Sequence, residues 1–220
     1  MIRSQLTAAT LRLATSVGPV SPTHVHLIRH GQSTWNRDGL VQGAHRGANQ
    51  ALLTDTGRAD AARAGMALAA RIGPPRREHS LSLWSSDLMR ALQTAEIISV
   101  ALRPMGWSAS VRNEPGLREQ ALGHLEGERT DSLSAVPVPE GQHISEVRWG
   151  EGGESMQEVF DRVGDWFAPA LIEQPDHLVV VSHEHTIRAS LAWLRSISHR
   201  DIDWDEPILP GSVTTYDVVD

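Results

Sequence analysis

At three points in this sequence an apolar run gives way to reactive or basic residues just where a helical pattern begins. They are Arg29-His30-Gly31, Ser85-Ser86-Asp87-Leu88-Met89-Arg90 and Ser182-His183-Glu184-His185. The runs that precede them, 24–28, 81–84 and 178–181, read as short buried strands. Residues 54–72 read as a helix, with Thr54 as N-cap and Leu68 and Ile72 at helical spacing. A second helix is expected to start from a Ser85 or Ser86 cap and run through Ala101, with Leu88, Leu92, Ala95 and Ile98 along one face. Ser155-Met156-Gln157-Glu158 is a capping box opening a third, which holds Val159, Val163 and Trp166. A fourth follows Ser182 and ends near Leu194, and residues 108–112 and 213–218 read as further strands. Strands alternating with helices require an α/β domain with a mostly parallel central sheet.

In such a sheet the carboxyl ends of the strands form the crevice where ligands bind. Helix N-termini there present unpaired N–H groups and the positive end of a dipole, which suits an anion. One strand-end histidine alone is more often structural, and Arg90 alone is an ordinary solvated helix residue. Three junctions that agree with one another make a different case: two arginines and two histidines delivered to one edge. Composition narrows the chemistry. All 20 basic residues are arginine, so Schiff-base catalysis, a lysine base and a phosphate-loop lysine are excluded. There is no cysteine, which removes disulfides, thiolate metal sites and thiol nucleophiles. Guanidinium forks and imidazole remain, and both handle phosphate. A net charge of -7 argues against nucleic acid as a partner, and no apolar stretch is long enough to span a membrane.

The 220 residues suit one domain. Residues 1–22, with Arg3, Arg12, many Ser and Thr and no acidic residue, read as a flexible leader, and residues 23–220 as the catalytic domain. Within it, residues 122–153 are rich in Gly, Pro and polar side chains and are expected to form a loop-rich excursion that caps the pocket.

These residues resemble the histidine phosphatase superfamily, which includes the cofactor-dependent phosphoglycerate mutases and many small phosphatases. Leu27-Ile28-Arg29-His30-Gly31-Gln32-Ser33-Thr34-Trp35-Asn36 looks like its signature. Gln42-Gly43 with Leu53-Thr54-Asp55-Thr56-Gly57 resembles the next conserved stretch, and the segment from Ser85 to Glu96 its second-arginine region. Leu117-Arg118-Glu119 and Leu125-Glu126-Gly127 are similar to the proton-donor region, Gly153-Glu154-Ser155 to a later landmark, and Val181-Ser182-His183 to the second histidine. The resemblance covers 23–218. It implies a phosphoglycerate mutase-like three-layer α/β/α fold. It also implies that His30 attacks phosphorus to form a phosphohistidine, that Arg29, Arg90 and His183 surround the phosphoryl oxygens, and that Glu119 protonates the leaving oxygen. The last role asks for a carboxyl pKa raised by burial. Asn36, Gln42, Gly43 and His185 are further candidates for substrate contact, and Gly153-Glu154-Ser155 reads mainly as helix capping. With arginines supplying the charge, neither a metal nor another cofactor is called for.

The implied activity is that of a cytoplasmic phosphatase acting on a small phosphorylated metabolite, as a monomer or homo-oligomer. A phosphoglycerate mutase is the alternative within the family. Mutases carry a longer insertion with basic residues between proton donor and second histidine, whereas Glu119 and His183 are 64 positions apart and the segment between them includes only the arginines Arg129, Arg148 and Arg162. A zinc hydrolase built on His24-x-His26 and His183-x-His185, or a non-catalytic phosphate-binding module, are alternatives from other classes. Trp35, Arg37, Arg129, His143, Arg148 and Trp149 are candidates to read the leaving group. One departure from the family stands out: Glu184 follows the second histidine where many relatives have a small residue, placing an anion at an anion-binding edge.

Overall fold

The computed structural model describes residues 22–47, 50–77, 79–132, 137–173 and 175–218. The expected leader, 1–22, lies outside the described residues but for Pro22. In chain order the regular elements are β1 (Thr23–Arg29), α1 (Thr34–Asp38), α2 (Asp55–Ile72), β2 (Leu81–Ser85), α3 (Met89–Leu102), β3 (Val111–Asn113), α4 (Met156–Ile172), β4 (His177–Ser182), α5 (Glu184–Leu194) and β5 (Val213–Val218). The five strands form one sheet in the order β3-β2-β4-β1-β5. All neighbours are parallel except β5, which runs antiparallel to β1.

Register positions the site. Arg29 pairs with Ser182, while Ile28 and Ser85 both pair with Val181, so β1, β4 and β2 end side by side. Period-two alternation then sends side chains to opposite faces. Val25, Leu27, Leu178 and Val180 pack with Val159, Val163 and Phe167 of α4 and Ile187 and Leu191 of α5. Ile28, Val179, Val181 and Leu83 pack with Ala64 and Leu68 of α2 and Ala95 and Ile98 of α3. The result is the three-layer α/β/α arrangement. Among the described residues no helix is long and apolar enough to cross a membrane.

The Thr54 cap and the Ser155 capping box form as their residue types predict. Three details differ from the sequence reading. The helix expected from a Ser85 or Ser86 cap starts at Met89 behind Leu88, which supplies no side-chain cap. Ser85 continues β2, and Ser86 extends it with a hydrogen bond to the Val181 carbonyl, which keeps both serines out of the helix. The strand expected at 108–112 is Val111–Asn113 instead. Trp107 is buried with Nε1 on the Gly73 carbonyl, and the Ala109 carbonyl accepts from Ser99, so the chain there serves the α2–α3 layer before it reaches the sheet. A five-residue helix, α1, was not expected; Ser33 and Asn36 close a capping box around it and Gly39 ends it at φ 66°. Residues 122–153 contain short 3-10 turns, and Gly127, Glu128 and Thr130 hydrogen-bond along Val41 and Gly39.

Further back along β1, His26 is buried between Thr215 and His177, 3.0 and 3.2 Å away. Burial, with the neighbouring His177, lowers its pKa to about 3. An unfolded chain would protonate His26 near 6.5, so its contribution to stability is present above that pH and is lost as pH falls towards 3. Replacing His26 by Gln should therefore flatten the acid side of a stability–pH curve. The slope lost below 6.5 should approach ~1.4 kcal/mol per pH unit in chemical denaturation.

Candidate active site

His30 follows β1 directly, and its backbone N–H donates to the Ser182 carbonyl at 3.0 Å. The turn is pressed against the start of α2. A Cβ at Gly31 would lie 2.1 Å from the Gly57 carbonyl oxygen, and one at Gly57 would lie 1.9 Å from that of Gln32. Only paired glycines permit this approach. Thr94 of α3 ties the turn from the other side: its hydroxyl accepts from the Gly31 amide at 3.1 Å and donates to the Arg90 carbonyl at 2.8 Å.

The imidazole of His30 is buried and its tautomer is set from both ends. Nδ1 lies 2.7 Å from the Gly31 carbonyl, which can only accept, so Nδ1 carries the proton. Arg90 Nε donates to Nε2 at 3.2 Å, which places the lone pair on Nε2. Burial, helped by Arg90 and Arg29, holds the His30 pKa well below its ordinary value. A neutral imidazole that carries its lone pair on Nε2 is a competent nucleophile.

The groups around it match the junctions singled out in the sequence. Arg90 is buried, donates through Nη2 to the Gly43 carbonyl at 2.8 Å, and has its pKa lowered to about 10 by burial. The His183 ring centre lies 5.1 Å from that of His30, with Nε2 2.9 Å from the Ser86 hydroxyl. Burial, with Arg90 and His30 beside it, keeps His183 neutral. Two nitrogens in this group, Arg29 Nε and His183 Nδ1, are buried without a hydrogen-bond partner. Orphaned buried polar atoms are costly. Phosphoryl oxygens are acceptors that would satisfy them.

Glu119 sits over the first turn of α5. Its carboxylate accepts from the amides of Gln120 at 3.0 Å and Thr186 at 3.3 Å, and from the Thr186 hydroxyl at 3.4 Å. Arg162 fixes the backbone beneath it, donating to the carbonyls of Gly116 and Glu119 while pairing with Glu154. The expected raised pKa is not found. Burial pushes the Glu119 carboxyl up, but His185, the Gln120 amide, Arg90 and Arg29 together outweigh it and leave the pKa below the ordinary value. The sequence pattern predicts burial; it does not show how many cationic and N–H groups converge on the carboxylate.

Of the other predicted contacts, Gln42 Oε1 accepts from Ser33 and Asn36 Oδ1 caps α1, so both brace the loop after His30. Gly43, at φ 48°, lets Glu126 close on the loop, where it accepts from the Ala44 amide. His185 Nδ1 lies 2.8 Å from Gln120 Oε1 and its ring packs edge-on against Trp204. Trp35 stacks on His45. Arg37 pairs with Asp38, Arg129 with Asp131 and Arg148 with Glu158, while His143 caps a 3-10 turn. Ser86, Thr94, Glu126, Arg162 and Thr186 were not anticipated. Thr94 was reachable, being one helical turn beyond Arg90 on the same face. His24 lies near the start of β1 and His26 at its middle, and among the described residues no group of three His, Cys, Asp or Glu could hold a metal ion.

The family profile of the histidine phosphatase superfamily (branch 1) matches residues 25–219. The chain belongs to that superfamily. Over 204 residues it is 33% identical to a probable phosphoglycerate mutase GpmB of Salmonella choleraesuis, covering 83% of this chain and 85% of that protein. Among solved structures, it is similar to a mycobacterial glucosyl-3-phosphoglycerate phosphatase complexed with VO3. That match has 24% identity and a TM-score of 0.68, over 88% of this chain and 90% of the other. A phosphoserine phosphatase from Entamoeba histolytica shares 22% identity at a TM-score of 0.67, over 88% and 89% of the two chains. Histidine phosphatases being the family, the two hydrogen bonds of Thr94 become a test of the frame. Thr94→Val leaves the buried Gly31 amide unpaired and should cost ~1–3 kcal/mol, read as a shift in the denaturation midpoint.

Proposed function

We propose that the protein hydrolyses a small phosphomonoester, with His30 as nucleophile and Glu119 as proton donor. The observation that carries this reading is the two-ended constraint on His30: a neutral imidazole, protonated at Nδ1, with Nε2 turned towards Arg90. In the first step Nε2 attacks phosphorus, the ester P–O bond breaks, and Glu119 gives its proton to the leaving oxygen. In the second, water attacks phosphorus, the P–N bond breaks, and the Glu119 carboxylate takes a proton from the water. Arg29, Arg90 and His183 stabilise charge on the transferring group, where most catalysis of phosphoryl transfer lies. A phosphate dianion beside Arg29 and Arg90 offsets the field that lowers the Glu119 pKa, so substrate binding itself favours the acid form. On this reading the described parts of 122–153, residues 122–132 and 137–153, cap the pocket, anchored through Gly127 and Glu128 to Val41.

A phosphoglycerate mutase is the second reading, favoured by the 33% identity to a probable mutase. Arginine bookkeeping supports hydrolysis. Between Glu119 and His183, Arg129 is paired with Asp131, Arg148 with Glu158, and Arg162 with Glu154 and two carbonyls, so each is already engaged near its own segment. Steady phosphate release from a panel of monophosphates is the expected result; interconversion of 2- and 3-phosphoglycerate without net release would overturn it. His30→Ala should lower turnover ~10³-fold or more, as removal of a nucleophile does. Glu119→Gln should lower it ~10²–10⁴-fold, while acid-labile phosphate still accumulates on His30 in a quench experiment.

A further inference from the structure

Glu184 stands where an anion-binding edge has least use for a carboxylate, yet it neither turns to solvent nor lies idle. One oxygen, Oε2, is 2.7 Å from Arg29 Nη1, and the other, Oε1, is 3.3 Å from Arg188 Nη2. Arg29 Nη1 also donates to the Ile208 carbonyl at 2.5 Å. This end of the Arg29 guanidinium is therefore fully occupied, and the buried, partnerless Nε lies on its other edge. Arg188 is in turn fixed: Nη1 donates to the Asp203 carbonyl at 2.7 Å, its guanidinium lies 5.5 Å over the Trp204 ring, and its side chain is 5% exposed. The three side chains form a line, Arg29–Glu184–Arg188, from the pocket to the segment between α5 and β5. At the same helix start, Glu184 is the side chain that contacts Arg29.

We infer that Glu184 is a positioning residue that tunes the affinity of the pocket for phosphate. It holds Arg29 by the Nη1 end so that the Nε edge faces phosphate, and its charge, shared with Arg188, weakens the hold of the pocket on free phosphate. The inference rests on the reading of the Arg29–His30 pocket as a phosphate site. Two consequences have opposite signs. Removing the Glu184 charge leaves the Arg29 charge without its carboxylate partner and more attractive to an anion. Removing Arg188 leaves the whole Glu184 charge on Arg29.

The test is binding of inorganic phosphate, and of vanadate as its analogue, to purified full-length protein by calorimetry, with melting temperature recorded for each variant. Glu184→Gln should tighten phosphate binding by roughly 1.5–5-fold, the range for a partly exposed ion pair, with the gain shrinking at high salt. Arg188→Met should weaken it by a similar factor, and Glu184→Gln combined with Arg188→Met should return the tighter binding. In turnover, Glu184→Gln should show stronger product inhibition by phosphate. Unchanged or weaker phosphate binding in Glu184→Gln overturns the inference, as does a loss of affinity in both single variants, which is what plain loss of structure would produce. Wild-type protein that binds no phosphate overturns the pocket reading and this inference together.

Discussion

The hydrogen bond from His30 Nδ1 to the Gly31 carbonyl depends on a chain of approaches that bulkier residues would forbid. The carbonyl can turn towards its neighbour's ring because Gly31 and Gly57 pack backbone to backbone, where any Cβ would collide. Thr94 then holds the same turn to the helix that carries Arg90. So the proton on Nδ1, the lone pair on Nε2 and the arginine that faces it are set by one piece of local backbone geometry. Much else in the pocket is arranged relative to that ring: His183 at 5.1 Å, the Ser86 hydroxyl behind His183, and the parallel register that ends β1, β4 and β2 together.

A pocket rich in arginine and without lysine needs counter-charges, and the structure spreads them unevenly. Arg118 is held by both oxygens of Asp87, at 2.6 Å each. Arg162 is shared between Glu154 and two carbonyls. Among the described residues Arg90, the most buried of them, has no carboxylate in contact and donates to His30 and the Gly43 carbonyl. That contrast separates the arginines that brace the frame from Arg90, whose donors stay turned inward. A guanidinium left without a direct counter-ion in a low-dielectric site is expensive unless an anion arrives to meet it.

What could be read from the sequence was what local periodicity and strand-end chemistry encode. The β–α alternation, the Thr54 and Ser155 caps, and the clustering of Arg29, His30, Arg90 and His183 all follow from short-range patterns. The helix Thr34–Asp38 was missed because five residues span barely more than one turn and carry no period. Ser85 and Ser86 looked like caps because serine favours that position, but pairing with β4 won. The field at Glu119 was misread for a different reason: His185, Arg90 and Arg29 arrive from distant parts of the chain, and only the fold shows that they meet there. The pairing of Glu184 with Arg29 was beyond sequence reasoning on the same ground, whereas its contact with Arg188 is an ordinary i,i+4 pair along α5.

β1, the strand that leads into His30, is flanked on both sides by strands from the far end of the chain. His24 pairs with His177 of β4 and with Asp217 of β5, so neither neighbour exists until some 150 further residues have been made. A nascent chain leaving the ribosome therefore carries its most reactive segment for most of synthesis with no partner strand on either edge. Pairings this remote in sequence must close long loops before any contact rewards them, which places the protein among slower-folding topologies. The same wiring ties assembly of the reactive end to the synthesis of β4 and β5: a truncated chain lacking both strands has no sheet in which to seat β1.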